Sequence, residues 1–357
     1  MLKREPLITF DELIKLFPHT ITEQQFIRQS RKEIIRILNR ESPKILLILG
    51  PCSIHDLPSA IDYAVKLKHL ISHVSDIFFP VMRVHFEKPR TANGWSGMMY
   101  DPHLNGSFKI NHGIKLTRQL LASLTNLQVP AAAEFLTPAA CTYFQDLISW
   151  GCIGARTCSS QLHRQMASGL PMPVAFKNNT DGNIDIAIKG ALSARSSHSM
   201  IEINSSGKAN IVITQGNQHS HIVLRGGCSG SNYDKQTIVK TANLLKKHSL
   251  PPNILIDCSH DNSNKQYENQ PITFQAAIDH ILYESDYVRG CILESHLFSG
   301  SQLLTHSSHD LKYGVSITDS CMGWEMTEDL IIKAYEKIKN TNPSPSNISD
   351  ALSLAST

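Results

Sequence analysis

The chain of 357 residues carries 34 Lys and Arg against 31 Asp and Glu, a formal net charge of +3, with 18% charged and 41% apolar residues. This ordinary mixture can bury a substantial core, and its cations form no block or stripe suited to a nucleic-acid groove. No apolar run reaches the roughly 20 residues of a membrane span, the amino terminus lacks a secretory apolar core, and the 8 cysteines contain no Cys-x-x-Cys pair, so the expectation is a cytoplasmic protein with free thiols.

Residues 1–44 hold a helix-like stretch at 23–39 and read as an extension serving as an oligomer or regulatory arm. Strand-like runs follow at 45–50, 78–86, 130–136, 152–157, 174–178, 221–227, 253–260 and 288–296. Helix patterns at 59–72, 111–124, 139–150, 233–248 and 325–339 fall between and after them. Eight alternations predict an α/β fold, a closed (β/α)8 TIM barrel over 45–340. Residues 198–215 read as a β-hairpin inserted between strands five and six around Ser205-Ser206-Gly207-Lys208. The tail at 341–357, rich in Ser, Asn and Pro, is expected to be loosely ordered.

In such a barrel the carboxyl ends of the strands hold the active site. Here those ends read Gly50-Pro51-Cys52-Ser53, Arg83 to Arg90, Glu134-Phe135, Gly154-Ala155-Arg156-Thr157, Phe176-Lys177-Asn178, Leu224-Arg225-Gly226-Gly227, Asp257-Cys258-Ser259-His260 and Glu294-Ser295-His296, followed by Ser316-Ile317-Thr318-Asp319. Arg83, Lys88, Arg90, Arg156, Lys177 and Arg225 would repel one another without anions between them. Rim carboxylates would neutralise one or two of the six, so the count calls for two phosphorylated small molecules or one very acidic one. Cys52, His260, Glu294 and Asp319 lie on strands one, seven and eight and the loop after the eighth. Those strands are neighbours in a closed barrel, and mixed S, N and O donors suit one divalent metal ion such as Mn, Fe, Co or Zn.

Gly50 to Asp56, Phe86 to Thr91, Gly154 to Thr157, Leu224 to Gly227 and Ser316 to Asp319, with Gly323-Trp324-Glu325, closely resemble class I 3-deoxy-D-arabino-heptulosonate 7-phosphate (DAHP) synthases from about Phe26 to Lys339. The resemblance implies a metal-dependent condensation of phosphoenolpyruvate with erythrose 4-phosphate, the entry to the shikimate pathway. By that resemblance Cys52, His260, Glu294 and Asp319 are the metal ligands, and Lys88 joins Cys52 and His260 as a catalytic group. Arg83, Lys88, Arg156, Lys177 and Arg225 hold phosphoenolpyruvate, with Glu134 and Ala155 beside it, while Lys88, Pro89, Arg90 and Thr91 grip the sugar phosphate. The resemblance also implies a homodimer or homotetramer with the amino-terminal arm at an interface.

Departures from the family pattern accompany these matches. His85 stands where a tyrosine is usual, Asp261 where a small residue follows the metal histidine, and Asn179 replaces a glycine. The hairpin resembles the family's feedback-inhibitor region, yet Pro171 and Glu202 occupy positions where small residues usually line the pocket for an aromatic amino-acid effector. Weak or altered inhibition is therefore expected. A synthase for another phosphorylated aldose, or a silent regulatory paralogue, are the rival readings.

Overall fold

The computed structural model describes residues 4–304 and 310–341; all of the expected tail except residue 341 lies outside them. Strands β1 (Ile45–Gly50), β2 (Phe78–Arg83), β3 (Ala131–Glu134), β4 (Trp150–Ile153), β5 (Val174–Lys177), β8 (His221–Leu224), β9 (Ile254–Asp257) and β10 (Val288–Glu294) pair in parallel, and β10 closes on β1. Between β5 and β8, the strands β6 (Ser199–Ile203) and β7 (Ala209–Ile213) form the antiparallel hairpin. The chain is thus a closed eight-stranded barrel with an inserted hairpin.

Alternation along each strand divides the apolar side chains into two sets. Leu46, Ile48, Val81, Ala132, Cys152, Ala175, Val223, Leu255 and Ile292 fill the barrel interior. Leu47, Leu49, Met82, Ala133, Phe176, Leu224 and Ile256 belong to the larger cluster with the surrounding helices. The helices are α1 (Phe10–Leu16), α2 (Ile21–Leu38), α3 (Leu57–Val74), α4 (Ile110–Asn126), α5 (Gln161–Gly169), α6 (Ile184–Ala194), α7 (Lys235–Lys247), α8 (Gln270–Asp279) and α9 (Trp324–Thr341). Thr9 and Glu12 cap α1 reciprocally, as Thr20 and Glu23 cap α2, so orphan amides at both starts are satisfied. Ile34, Ile37 and Leu38 of α2 join the interior cluster, so the second half of the amino-terminal extension packs against the barrel's own core. Ahead of it, Asp11 donates its amide to Ser205 in the hairpin turn.

Two expectations change. The strands end earlier than their apolar runs suggested, because residues such as 84–86 and 258–260 already belong to the loops that carry the rim groups. The helix expected at 139–150 is replaced by two 3₁₀ turns, Pro138–Tyr143 and Gln145–Leu147, and β4 begins at Trp150. Arginine side chains capture the carbonyls there: Arg118 donates to Tyr143 O (3.0 Å), and Arg31 to Gln145 O (2.5 Å) and Ile148 O (2.9 Å). Carbonyls held this way do not need helical amides, so short turns replace an α-helix. Among the described residues no helix is long and apolar enough to cross a membrane.

Candidate active site

The strand tips converge on a cavity of about 310 Å³, lined among others by Arg83, Lys88, Pro89, Arg90, Glu134, Ala155, Arg156, Lys177, Arg225, His260, Glu294 and Asp319. Cys52 lies behind this surface, fully buried, where Lys88 Nζ donates to its carbonyl (3.0 Å) and approaches its Sγ (3.3 Å). Thr91 is exposed and accepts from Arg156 Nε (3.0 Å), which links the loop after β2 to the loop after β4. Gly154 must lack a side chain, since a Cβ there would fall 1.8 Å from Glu134 Oε1.

The rim neutralises more of its own charge than expected. Three of the six cations, not one or two, pair with carboxylates: Arg83 Nη2 with Glu294 (2.8 Å), Lys177 Nζ with Asp257 (2.9 Å), and Arg225 Nη1 with Asp261. From the sequence Asp257 reads only as a strand end and Asp261 only as a departure from the family pattern; the acidic residue closing each run is the available signal. Lys88, Arg90 and Arg156 have no carboxylate within ion-pair distance among the described residues, so half the cationic set keeps its charge unneutralised.

Cys52, Glu294 and Asp319 offer ligand atoms within 4.8 Å of one another. Gln270 fixes Glu294 by exchanging hydrogen bonds with its backbone amide (2.8 Å) and carbonyl (2.9 Å). The loop bearing Asp319 is stitched to the end of β1 through Ser53 and Thr318 (2.8 Å) and through the Cys52 amide, which donates to Cys321 Sγ (3.4 Å). His260 stands just outside this trio, its Nε2 3.8 Å from Glu294. Its Nδ1 faces Asp257 at 3.0 Å, so the carboxylate orients the ring and leaves Nε2 toward the cluster. Burial opposes ionisation of Asp257, but His260 and Lys177 hold it well below the usual carboxylate range. Glu294 Oε1 is buried with no hydrogen bond, despite its ion-pair contact with Arg83. A buried carboxylate oxygen with spare acceptor capacity, beside a thiol and a second carboxylate, fits a divalent cation.

A second trio, His85, Glu134 and Cys152, fits poorly. Burial first, then Arg83, keep His85 neutral, and Arg83 Nη2 lies 3.0 Å from its Nδ1. Burial also pushes the Cys152 thiol up to about 12. A cation there would compete with Arg83 for His85 Nδ1.

Pro171 and Glu202 are not brought into the active cavity. Pro171 borders a separate pocket with His19, Arg28, Arg31 and Asp146, whereas Glu202 accepts from Thr142 Oγ1 (3.2 Å). Glu87, part of the charge burst after β2, is buried rather than on the rim, and burial pushes it up to about 7 against hydrogen bonds from Thr137 and the Leu136 amide.

Comparison with known proteins decides the family. The sequence profile of the DAHP synthetase I family matches residues 20–331. The chain belongs to this family. It is 42% identical over 332 residues to the Tyr-sensitive phospho-2-dehydro-3-deoxyheptonate aldolase of Salmonella typhimurium, covering 93% of each chain. It is 43% identical over 329 residues to the Trp-sensitive aldolase of Escherichia coli K12, covering 92% of this chain and 94% of that one. The structure of the Francisella tularensis aldolase superposes with a TM-score of 0.92 at 39% identity, over 96% of this chain and 99% of the other. The likeness to that structure therefore extends over nearly the whole chain, the amino-terminal extension included.

Two measurements test this electrostatic picture. Asp257→Asn removes the charge that orients His260, so metal affinity, read by competition with a chromogenic chelator, is expected to fall about tenfold to a hundredfold; unchanged affinity would contradict the orienting role. For Glu87, the folded chain keeps a proton up to about pH 7 that the unfolded chain releases near 4.5. Its contribution is thus most favourable below the unfolded value and is lost as pH rises through the folded one, a difference of roughly 3 kcal/mol. The unfolding free energy of Glu87→Gln should gain on wild type between about pH 5 and about pH 8; parallel pH profiles would refute the assignment.

Proposed function

We propose that this chain condenses phosphoenolpyruvate with D-erythrose 4-phosphate and water to give DAHP and phosphate, as a metal-dependent transferase. The observation that carries this reading is the convergence of six cations and a Cys52, Glu294 and Asp319 cluster on one cavity. Cys52, His260, Glu294 and Asp319 would hold the ion, one of Mn, Fe, Co or Zn. When bound, it supplies Lewis-acid polarisation of the aldehyde carbonyl.

The chain's own residues account for the rest. Arg83 and Lys177, fixed by buried carboxylates, present the carboxylate and phosphate of phosphoenolpyruvate to Arg156 and Arg225. Lys88, Pro89, Arg90 and Thr91 grip the sugar phosphate, and both arms meet at Lys88 Nζ. Carbon three of phosphoenolpyruvate attacks the aldehyde carbon, and Lys88 delivers a proton to the oxygen that becomes the hydroxyl. Water adds at carbon two, and the carbon–oxygen bond to phosphate then breaks. Arg156 and Arg225 stabilise the charge gathering on the departing phosphate.

Assembly and control form a finer part of the proposal. Ile201, Ile211 and Ile213 line one exposed face of the hairpin, at 77%, 82% and 74% exposure. With residues 1–44 as the arm, this face supports a homodimer or homotetramer. Two relatives are named for sensitivity to Tyr and Trp, which supports an aromatic amino-acid effector for this chain too. Glu202 and Pro171 favour weakened or altered response, since the carboxylate would either repel that of an amino acid or bind its ammonium group.

Chelation with EDTA, or Cys52→Ala, is expected to abolish product formation in a coupled assay of both substrates, and full turnover in either case would sink the metal assignment. In the same assay phenylalanine is expected to inhibit weakly; strong inhibition at micromolar concentration would contradict the reading of Glu202.

A further inference from the structure

The cations of all three ion pairs on the rim line the cavity, but only that of Arg225 has a partly exposed carboxylate for its partner. Side-chain exposure is 3% and 2% for Arg83 and Glu294, and 5% and 0% for Lys177 and Asp257. Arg225 and Asp261 are 6% and 19% exposed, and both line the cavity. Asp261 Oδ2 bonds Arg225 Nη1, while its Oδ1 lies 3.6 Å from Lys265 Nζ, another cavity residue.

Backbone packing holds this carboxylate in place. Asn262 donates through Nδ2 to Leu224 O (3.1 Å) and Asp257 O (2.9 Å), and its Oδ1 accepts from the Asn232 amide (2.9 Å). Gly226, at φ +73°, lets the two loops touch; a Cβ there would meet Asn262 N and the Asp261 carbonyl carbon at 2.7 Å. Asp261 therefore cannot drift from Arg225 with its loop. Rotation of the Asp261 or Arg225 side chain, rather than movement of the loop, would release the guanidinium.

We propose that Asp261 is a built-in competing anion, occupying Arg225 until a phosphate-bearing ligand displaces it and so setting the affinity for phosphoenolpyruvate and for released phosphate. The inference rests on reading this cavity as the phosphoenolpyruvate site. An incoming phosphate must either break the Arg225 pair or accept a carboxylate beside it. Both weaken binding, and both favour departure of inorganic phosphate.

The test compares wild type with Asp261→Asn and Asp261→Ala as metal-loaded enzymes. KM for phosphoenolpyruvate and the inhibition constant for inorganic phosphate should each fall about threefold to tenfold, the scale of a partly buried pair, with KM for erythrose 4-phosphate unmoved. Unchanged or raised values, or equal changes for both substrates, would overturn the proposal. Titration calorimetry with inorganic phosphate on the same proteins separates it from the substrate reading. Tighter phosphate binding in Asp261→Asn supports the competing anion even where wild type forms no product, which would sink the substrate reading alone; equal or weaker binding overturns it.

Discussion

Mutual repulsion of cations gathered at one end of a barrel is the constraint on which the rest of the site depends. At 4 Å and an effective dielectric of 20, two like unit charges repel by about 4 kcal/mol. The fold meets this by pushing carboxylates up from the strand ends between the cations. Glu294 reaches Arg83 from β10 and Asp257 reaches Lys177 from β9, each carboxylate almost wholly buried. Removing either partner would strand a buried charge, a loss of about 3–5 kcal/mol. Arg90 and Arg156, by contrast, remain exposed at the mouth.

Asp257 connects the two halves of this arrangement. The same carboxylate accepts from Lys177 on one side and faces His260, beside the Cys52, Glu294 and Asp319 cluster, on the other, while Ser259 fills its other oxygen through amide (3.1 Å) and hydroxyl (2.7 Å). His260 adopts a left-handed backbone, φ +53°, uncommon for a residue other than glycine. That conformation persists because the Asn262 bonds and the Asp257 contact determine the turn around it.

Much of this was legible in the sequence because a parallel barrel separates structural from chemical residues so cleanly. Strand-like runs of five to nine residues marked all eight strands, and the polar residues closing each run had to lie on one rim. Less legible was anything that depended on side-chain direction. Glu87 sits in the same burst of charge as Lys88 and Arg90 yet turns inward, and nothing in local composition separates them. The Arg118 and Arg31 bonds that replaced a helix with 3₁₀ turns join residues 25 to 117 positions apart, beyond any periodic pattern. Similarly, neighbouring strands let Cys52, Glu294 and Asp319 be expected together, but nothing in the sequence shows His260 standing 3.8 Å from Glu294 and facing Asp257.

The most direct test of the account is a crystal structure of the protein soaked with Mn and phosphoenolpyruvate. One ion in contact with Cys52, Glu294, Asp319 and His260 is expected, with the phosphate of phosphoenolpyruvate against Arg156 and Arg225. An ion held instead by His85, Glu134 and Cys152, or phosphoenolpyruvate bound outside the cationic cavity, would contradict it.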